Sequence, residues 1–174
     1  MRNIKKIVVI GPESTGKSTL CEHLAAHFRT AWCPEYSREY LLKNGLSYNY
    51  KDLLTIAKCQ VNLENEMHSQ AENGLLFIDT DLYVMKVWSE FVFGRCDSWI
   101  LDEIARRKYD LYLLCDIDLP WQKDVLREHP DLKSRQKLYH IYRDILINQP
   151  APWLNINGTH EQRVHSAIEA VVRF

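Results

Sequence analysis

Apolar and polar positions fall into alternating blocks along this sequence. The unbroken apolar run Ile7–Ile10 predicts a strand over residues 4–10, covered on both faces. Helical spacing from about Lys17 to Phe28 follows, then a short strand at Ala31–Cys33. "PEYSREYLLK" predicts a helix with proline in its first turn, ending near Asn44-Gly45. Residues 51–72 carry a long helical pattern, with Leu53, Leu54, Ala57, Val61 and Leu63 or Met67 near a period of 3.6. "GLLFID" (74–79) predicts another buried strand, followed by helix through Trp88 and a further helix from about Ser98 to Lys108. "YDLYLLC" (109–115) is the next strand. Residues 116–136 are polar, basic and interrupted by two prolines, which predicts a mobile loop or lid. A helix to about Gln149, the strand "WLNIN" and a closing helix from Glu161 complete the series.

Strands alternating with helices predict right-handed β-α-β units and a parallel sheet with helices on both faces. The expected fold class is therefore α/β, with a five-stranded, mostly parallel sheet and residues 116–136 as its lid. Neither repeats nor a linker interrupt the pattern, so residues 1–174 read as a single domain.

Composition narrows the functions. With 174 residues, 46% of them hydrophobic and 26% charged, the chain can bury one substantial core. A formal net charge of −1 gives no global field toward nucleic acid or an anionic membrane, and neither is expected as a partner. No apolar segment approaches the ~20 residues of a membrane helix. Five scattered cysteines without a C-x-x-C pair argue against disulfides or a zinc cluster and for a reducing cytoplasm.

The first turn carries the clearest chemistry. Gly11-Pro12-Glu13-Ser14-Thr15-Gly16-Lys17-Ser18 fits G-x-x-x-x-G-K-S/T at every fixed position, between a buried strand and a helix. The glycines let backbone N–H groups turn inward around phosphates, and the helix adds its positive end. Lys17 then reaches the β- and γ-phosphates of ATP, and the Ser18 hydroxyl is a ligand for Mg²⁺. The fold class becomes a P-loop NTPase. Mg²⁺ also calls for a carboxylate. Asp79 and Asp116 both end apolar strands; Asp79, in "DTD" with Asp81, is preferred, while Asp116 and Asp118 read equally as solvated loop residues.

What receives the phosphate is less plain from the residues. Glu35, Arg38 and Glu39 share a helix face, as do Tyr36 and Tyr40. A carboxylate there can take a hydroxyl proton with an arginine keeping it ionised. The same residues also describe a surface ion-pair ladder of little energetic weight, which composition alone favours. The loop shifts the balance toward catalysis, because Arg127 and Arg135 flank its "EHPD" turn, and closure of such arginines over phosphates is how phosphoryl transfer is often assisted.

Taken in order, "GPESTGKSTL", "EYSREY", "FIDTD" and "DLYLLCDIDLPWQKDVLRE" resemble the ribosylnicotinamide kinase domain of the NadR-type proteins, over nearly the whole chain from Ile7. The P-loop alone is generic; the four segments in register are specific. The resemblance implies ATP-dependent phosphorylation of the 5′-hydroxyl of nicotinamide riboside to give nicotinamide mononucleotide, with a small-molecule nucleoside as partner. It implies that Gly11, Glu13, Ser14, Thr15, Gly16, Lys17, Ser18 and Thr19, with Arg135, hold ATP and Mg²⁺. Glu35 becomes the base or hydroxyl anchor, Asp79 and Asp81 metal or ribose contacts, Arg127 a lid cation, and Tyr36 and Arg38 neighbours of the acceptor. Two departures stand out. The family's tryptophan before its first E-Y is Pro34 here, with Trp32 two residues earlier, so stacking on the acceptor's base is expected to be redrawn. Family members also carry an adenylyltransferase domain ahead of the kinase, whereas this sequence starts at the P-loop strand.

Trp121, after Pro120, reads either as a base-stacking residue or as a plug at the lid's hinge. His23 and His27 lie four apart on one helix but lack the H-E-x-x-H glutamate, so a metal site there is not expected. "NGTHEQR" (157–163) lies where an adenine can rest or where Thr159 caps the last helix. Within the kinases, Pro34 leaves a kinase for another nucleoside or cofactor precursor as the alternative; outside them, it is a nucleotide-dependent regulatory ATPase, and the N-K-x-D reader of guanine switches is missing from the sequence.

Overall fold

A computed structural model describes residues 4–126, 128 and 131–174. Its elements in chain order are β1 (Lys5–Ile10), α1 (Lys17–Phe28), β2 (Trp32–Cys33), α2 (Tyr36–Asn44), α3 (Tyr50–Gln70), β3 (Leu75–Asp79), α4 (Leu82–Phe93), α5 (Ser98–Arg106), β4 (Leu111–Cys115), α6 (Leu132–Asn148), β5 (Trp153–Ile156) and α7 (His160–Arg173). The sheet order is β2-β3-β1-β4-β5 and each neighbouring pair runs parallel, so the expected "mostly parallel" sheet is parallel throughout. With β1 central and flanked by β3 and β4, the carboxyl ends of those three strands converge on one edge, where open α/β sheets bind ligands.

Side chains alternate between the two faces because the strand period is two. Ile7, Val9, Phe77, Leu111 and Leu113 pack with Leu20, Leu24 and Ala25 of α1 and Ala167 of α7. Val8, Ile10, Leu76, Ile78, Tyr112 and Leu114 pack with Val87 of α4 and Leu138, Tyr142 and Leu146 of α6. A third cluster, around Leu53, Ile56, Met85 and Ile100, joins α3, α4 and α5 away from the sheet.

The element boundaries follow caps more than composition. Asn49 caps α3 with Asp52 returning the bond to its backbone, which starts that helix at Tyr50 rather than 51. Asp131 accepts from Ser134 N and starts α6 at Leu132. The predicted loop therefore ends before 136, and Arg135 belongs to a helix rather than to a lid. Among the described residues no helix is long and apolar enough to cross a membrane.

Candidate active site

The turn after β1 is built around backbone that only small or special residues tolerate. Gly11 has φ +147°, and a Cβ there would sit 2.8 Å from Cys115 O of the neighbouring strand β4. Gly16 caps α1 in the left-handed region at φ +79° and supplies no side-chain cap, whereas α3 to α7 each have one. The first N–H groups of α1 thus keep their hydrogen-bonding capacity for a ligand, reinforced by the helix dipole. Thr15 is buried and donates to Pro12 O at 2.8 Å, and Lys17 Nζ donates to the same carbonyl at 2.9 Å. Ser18, on the first turn of α1, donates to Asp79 Oδ2 at 2.5 Å.

Asp79 ends β3 opposite Val9 and is fully buried. Burial, and secondarily the charge of Glu35, push its carboxyl up to about 6, against the pull of Lys17 and the Ser18 hydroxyl. Thr80 follows with φ +74°, a conformation that costs a β-branched residue on the order of 1–3 kcal/mol and persists only where surroundings enforce it. A hard-oxygen pair, hydroxyl plus carboxylate, at the mouth of a phosphate loop fits Mg²⁺, which takes one or two protein oxygens and completes its shell with phosphate and water. No group of three metal-ligating side chains occurs among the described residues.

These groups line a cavity of about 510 Å³ whose walls come from five further segments. Trp32, Pro34, Glu35, Ser37, Arg38 and Leu41 form one side. Val84, Trp88 and Phe91 present one face of α4 at spacings of four and three, and Leu138 and Tyr142 one face of α6. Asp124, Leu126 and Glu128 close it from the loop after β4. Glu35, at the N-cap of α2, turns its carboxylate toward this space instead of capping the helix, and accepts from Ser37 Oγ at 2.6 Å. The closing loop is held from both ends. Ser14 Oγ and Glu13 Oε2 accept the amides of Gln122 and Glu128, each at 2.9 Å, while Arg38 pairs with Asp124 at 2.9 Å.

Of the residues singled out in the sequence, Gly11 and Glu13 to Thr19, Glu35, Arg38 and Asp79 all meet at this cavity. Four do not. Asp81 is buried as the N-cap of α4, accepting from Tyr83 N at 3.0 Å and Tyr112 Oη at 2.8 Å, and borders a separate cavity of about 320 Å³ with Tyr83, Tyr109 and Tyr112. Tyr36 packs into the α3–α5 cluster. Trp121 does not line the large cavity, and its Nε1 is buried. Arg135 is buried against Leu119 O, a carbonyl of the loop, at 3.3 Å. Arg127 lies outside the described residues. Of the alternative carboxylates, Asp118 is paired with Arg163 and Asp116 Oδ2 accepts from Asn155 Nδ2.

Arg163 was not anticipated. Buried on α7, it donates to Thr15 O of the phosphate loop at 3.0 Å, Asp116 O at 3.0 Å and Gly158 O at 2.9 Å, besides pairing with Asp118. Thr159 does cap α7 and Gln162 returns the bond, so "NGTHEQR" braces the loop from behind. Its one sequence signal was an arginine one turn into a capped helix at the sheet's carboxyl edge.

A family model described as an AAA domain matches residues 6–163. The chain belongs to that family. Across this AAA domain the sequence is 26% identical, over 175 residues, to the trifunctional NAD biosynthesis/regulator protein NadR of Salmonella typhimurium, covering 97% of this chain and 42% of that protein. The chain thus spans less than half the length of that curated relative. Solved structures of NadR protein, one in complex with NR and one with NAD and AMP-PNP, superpose with TM-scores of 0.78 and 0.77 at 24% identity, covering 99% of this chain and 52% and 49% of theirs. A thymidylate kinase from Ehrlichia chaffeensis superposes at 0.65 with 14% identity over 98% of both chains, which shows a shared fold.

Proposed function

We propose that this domain is an ATP-dependent phosphotransferase that phosphorylates the 5′-hydroxyl of nicotinamide riboside to give nicotinamide mononucleotide. One observation carries the reading: a phosphate loop with its Ser18–Asp79 pair shares a single cavity with an uncapped carboxylate, Glu35, and an aromatic wall. Its homology to NadR, one structure of which holds NR, supports the choice of acceptor.

Charge supports it independently. Among the described lining residues, Glu13, Glu35, Asp79, Asp124 and Glu128 outnumber Lys17 and Arg38. An acidic chamber walled by Trp32, Trp88, Phe91 and Tyr142 suits a cationic pyridinium ring, held over aromatic faces, better than a neutral base. Pro34 and Trp32 both line it, which accommodates the redrawn stacking surface.

In the reaction the acceptor's 5′-oxygen bonds to the γ-phosphorus, the bond to the ADP oxygen breaks, and the hydroxyl proton passes to Glu35. The α1 N-terminal amides and Lys17 hold the phosphates, and Ser18 and Asp79 are the residues that would hold Mg²⁺. When bound, that ion neutralises charge on the β- and γ-phosphates. Asp124, Leu126 and Glu128 keep bulk water from competing with the acceptor. Five free cysteines, three of them buried, support a reducing cytoplasmic setting.

The test is an acceptor screen with Mg-ATP, with nicotinamide riboside beside adenosine, uridine and thymidine and the products separated by chromatography. Stoichiometric nicotinamide mononucleotide and ADP are expected. Phosphorylation of a different nucleoside alone would move the assignment within the kinases, and acceptor-independent ATP hydrolysis would end it.

A further inference from the structure

Asp79 can serve a metal only if its carboxylate is aimed at Ser18, and that aim is set by the two residues after it. Thr80, in its left-handed conformation, reverses the chain directly behind Asp79; its N–H donates to Val9 O at 3.1 Å and its Oγ1 to Asp79 Oδ1 at 3.4 Å. Asp81 then anchors the reversal. One carboxylate oxygen takes Tyr83 N, fixing the start of α4, and the other takes the hydroxyl of Tyr112. Among the described residues Tyr112 is the one side chain that donates to it.

Tyr112 comes from β4, beyond β1, and is paired with Val8. Its neighbours Leu111, Leu113 and Leu114 are apolar and buried. A hydroxyl in such a strand is costly unless it is bonded, so its presence here is explained by the Asp81 contact and by little else. The bond spans three strands of the sheet and fastens the β3–α4 turn to the far side of the phosphate loop.

We infer that Tyr112 is a positioning residue for the Asp79 carboxylate, acting through Asp81 and the Thr80 turn, in the reaction proposed above. α4 starts at the same anchor, so the pair also sets where Val84, Trp88 and Phe91 stand in the acceptor wall.

The experiment uses Mn²⁺ as probe, its binding to the full chain with ADP followed by electron paramagnetic resonance, beside ADP affinity without metal, thermal melting, and kcat and KM. Tyr112→Phe keeps the ring and removes the hydroxyl. It is expected to weaken Mn²⁺ roughly tenfold and lower kcat by a similar factor, in line with outer partners of metal ligands, while metal-free ADP affinity stays within about twofold. Asp81→Ser, which can still cap α4 but not reach Tyr112, should match it, and Asp81→Asn, which can do both, should restore Mn²⁺ binding. The double variant should be no worse than either single.

Wild-type Mn²⁺ binding in Tyr112→Phe and Asp81→Ser would overturn the inference. So would parallel losses of metal, metal-free nucleotide and melting temperature, which mark a merely structural role. If wild-type protein phosphorylates no acceptor, the kinase assignment fails while the Mn²⁺ comparison still stands.

Discussion

The indole N–H of Trp88 donates to the hydroxyl of Tyr48 at 2.9 Å, and that hydroxyl donates onward to Glu128 Oε2 at 2.9 Å. Because the Glu128 amide in turn donates to Glu13 of the phosphate loop, a continuous chain of bonds joins the α4 wall of the cavity to that loop. Tyr48→Phe preserves the edge-on packing against Trp88 and deletes two links. The acceptor KM is expected to rise roughly fivefold, the worth of about one hydrogen bond, with the ATP KM little changed. The ratio of ADP to phosphorylated product should rise above one as water gains access, which steady-state product analysis reads directly.

Lys17 is the cation that the motif assigns to the phosphates, and its Nζ donates to Pro12 O within the loop. Lys17→Met should lower kcat/KM by a factor on the order of 10² to 10³, the usual effect of removing one charge-stabilising donor. Retained activity in coupled assays would contradict its assignment.

Arg163 has no contact that a small residue can replace. Arg163→Leu removes the guanidinium from three backbone carbonyls and takes the cation from Asp118. A loss of about 3 kcal/mol or more is expected in urea denaturation, and ATP affinity should fall with it because Thr15 is unbraced.

Gly11→Ala places a methyl within 2.8 Å of a backbone oxygen that cannot move without shifting β4. Both stability and ATP binding should suffer, and the substitution should be far more damaging than Gly94→Ala, where nothing lies within 4 Å of the added carbon. Thermal melting with and without ATP separates the two effects.

Asp79 titrates near 6 in the folded chain against 3.8 unfolded, so the folded protein holds its proton more tightly. That favourable contribution is fully present below pH 3.8 and is lost as pH rises through 6. Asp79→Asn should therefore be more stable than wild type at pH 8 without nucleotide, with the gap closing toward pH 4. Activity moves the other way: on the proposed mechanism, kcat/KM should fall below about pH 6 as the Asp79 carboxylate is neutralised.

The strands were legible because Ile7–Ile10 and Leu75–Asp79 are buried on both faces and so carry unbroken apolar runs. The phosphate loop was legible because glycine is required at Gly11 and Gly16 for reasons of backbone geometry. The capping role of Asp81 is not legible, since "DTD" offers two carboxylates and nothing local says which is spent on a helix N-terminus. The start of the helix that carries Arg135 is hidden because Asp131, its cap, is one more polar residue in a polar stretch. Arg163 stayed hidden because its key partner is 148 positions away. The α4 wall of the cavity was equally silent: Val84, Trp88 and Phe91 at helical spacing look like any core-facing stripe.

The sheet's central strand gives the phosphate loop its position, but the opposite half of the cavity is contributed by helix faces and a strand edge with no part in that loop. Changes at Pro34, Val84, Phe91 or Leu138 can therefore alter which guest fits without disturbing the donor half. Under the proposed function, a lineage built on this scaffold is free to trade one acceptor for another by editing a few hydrophobic positions.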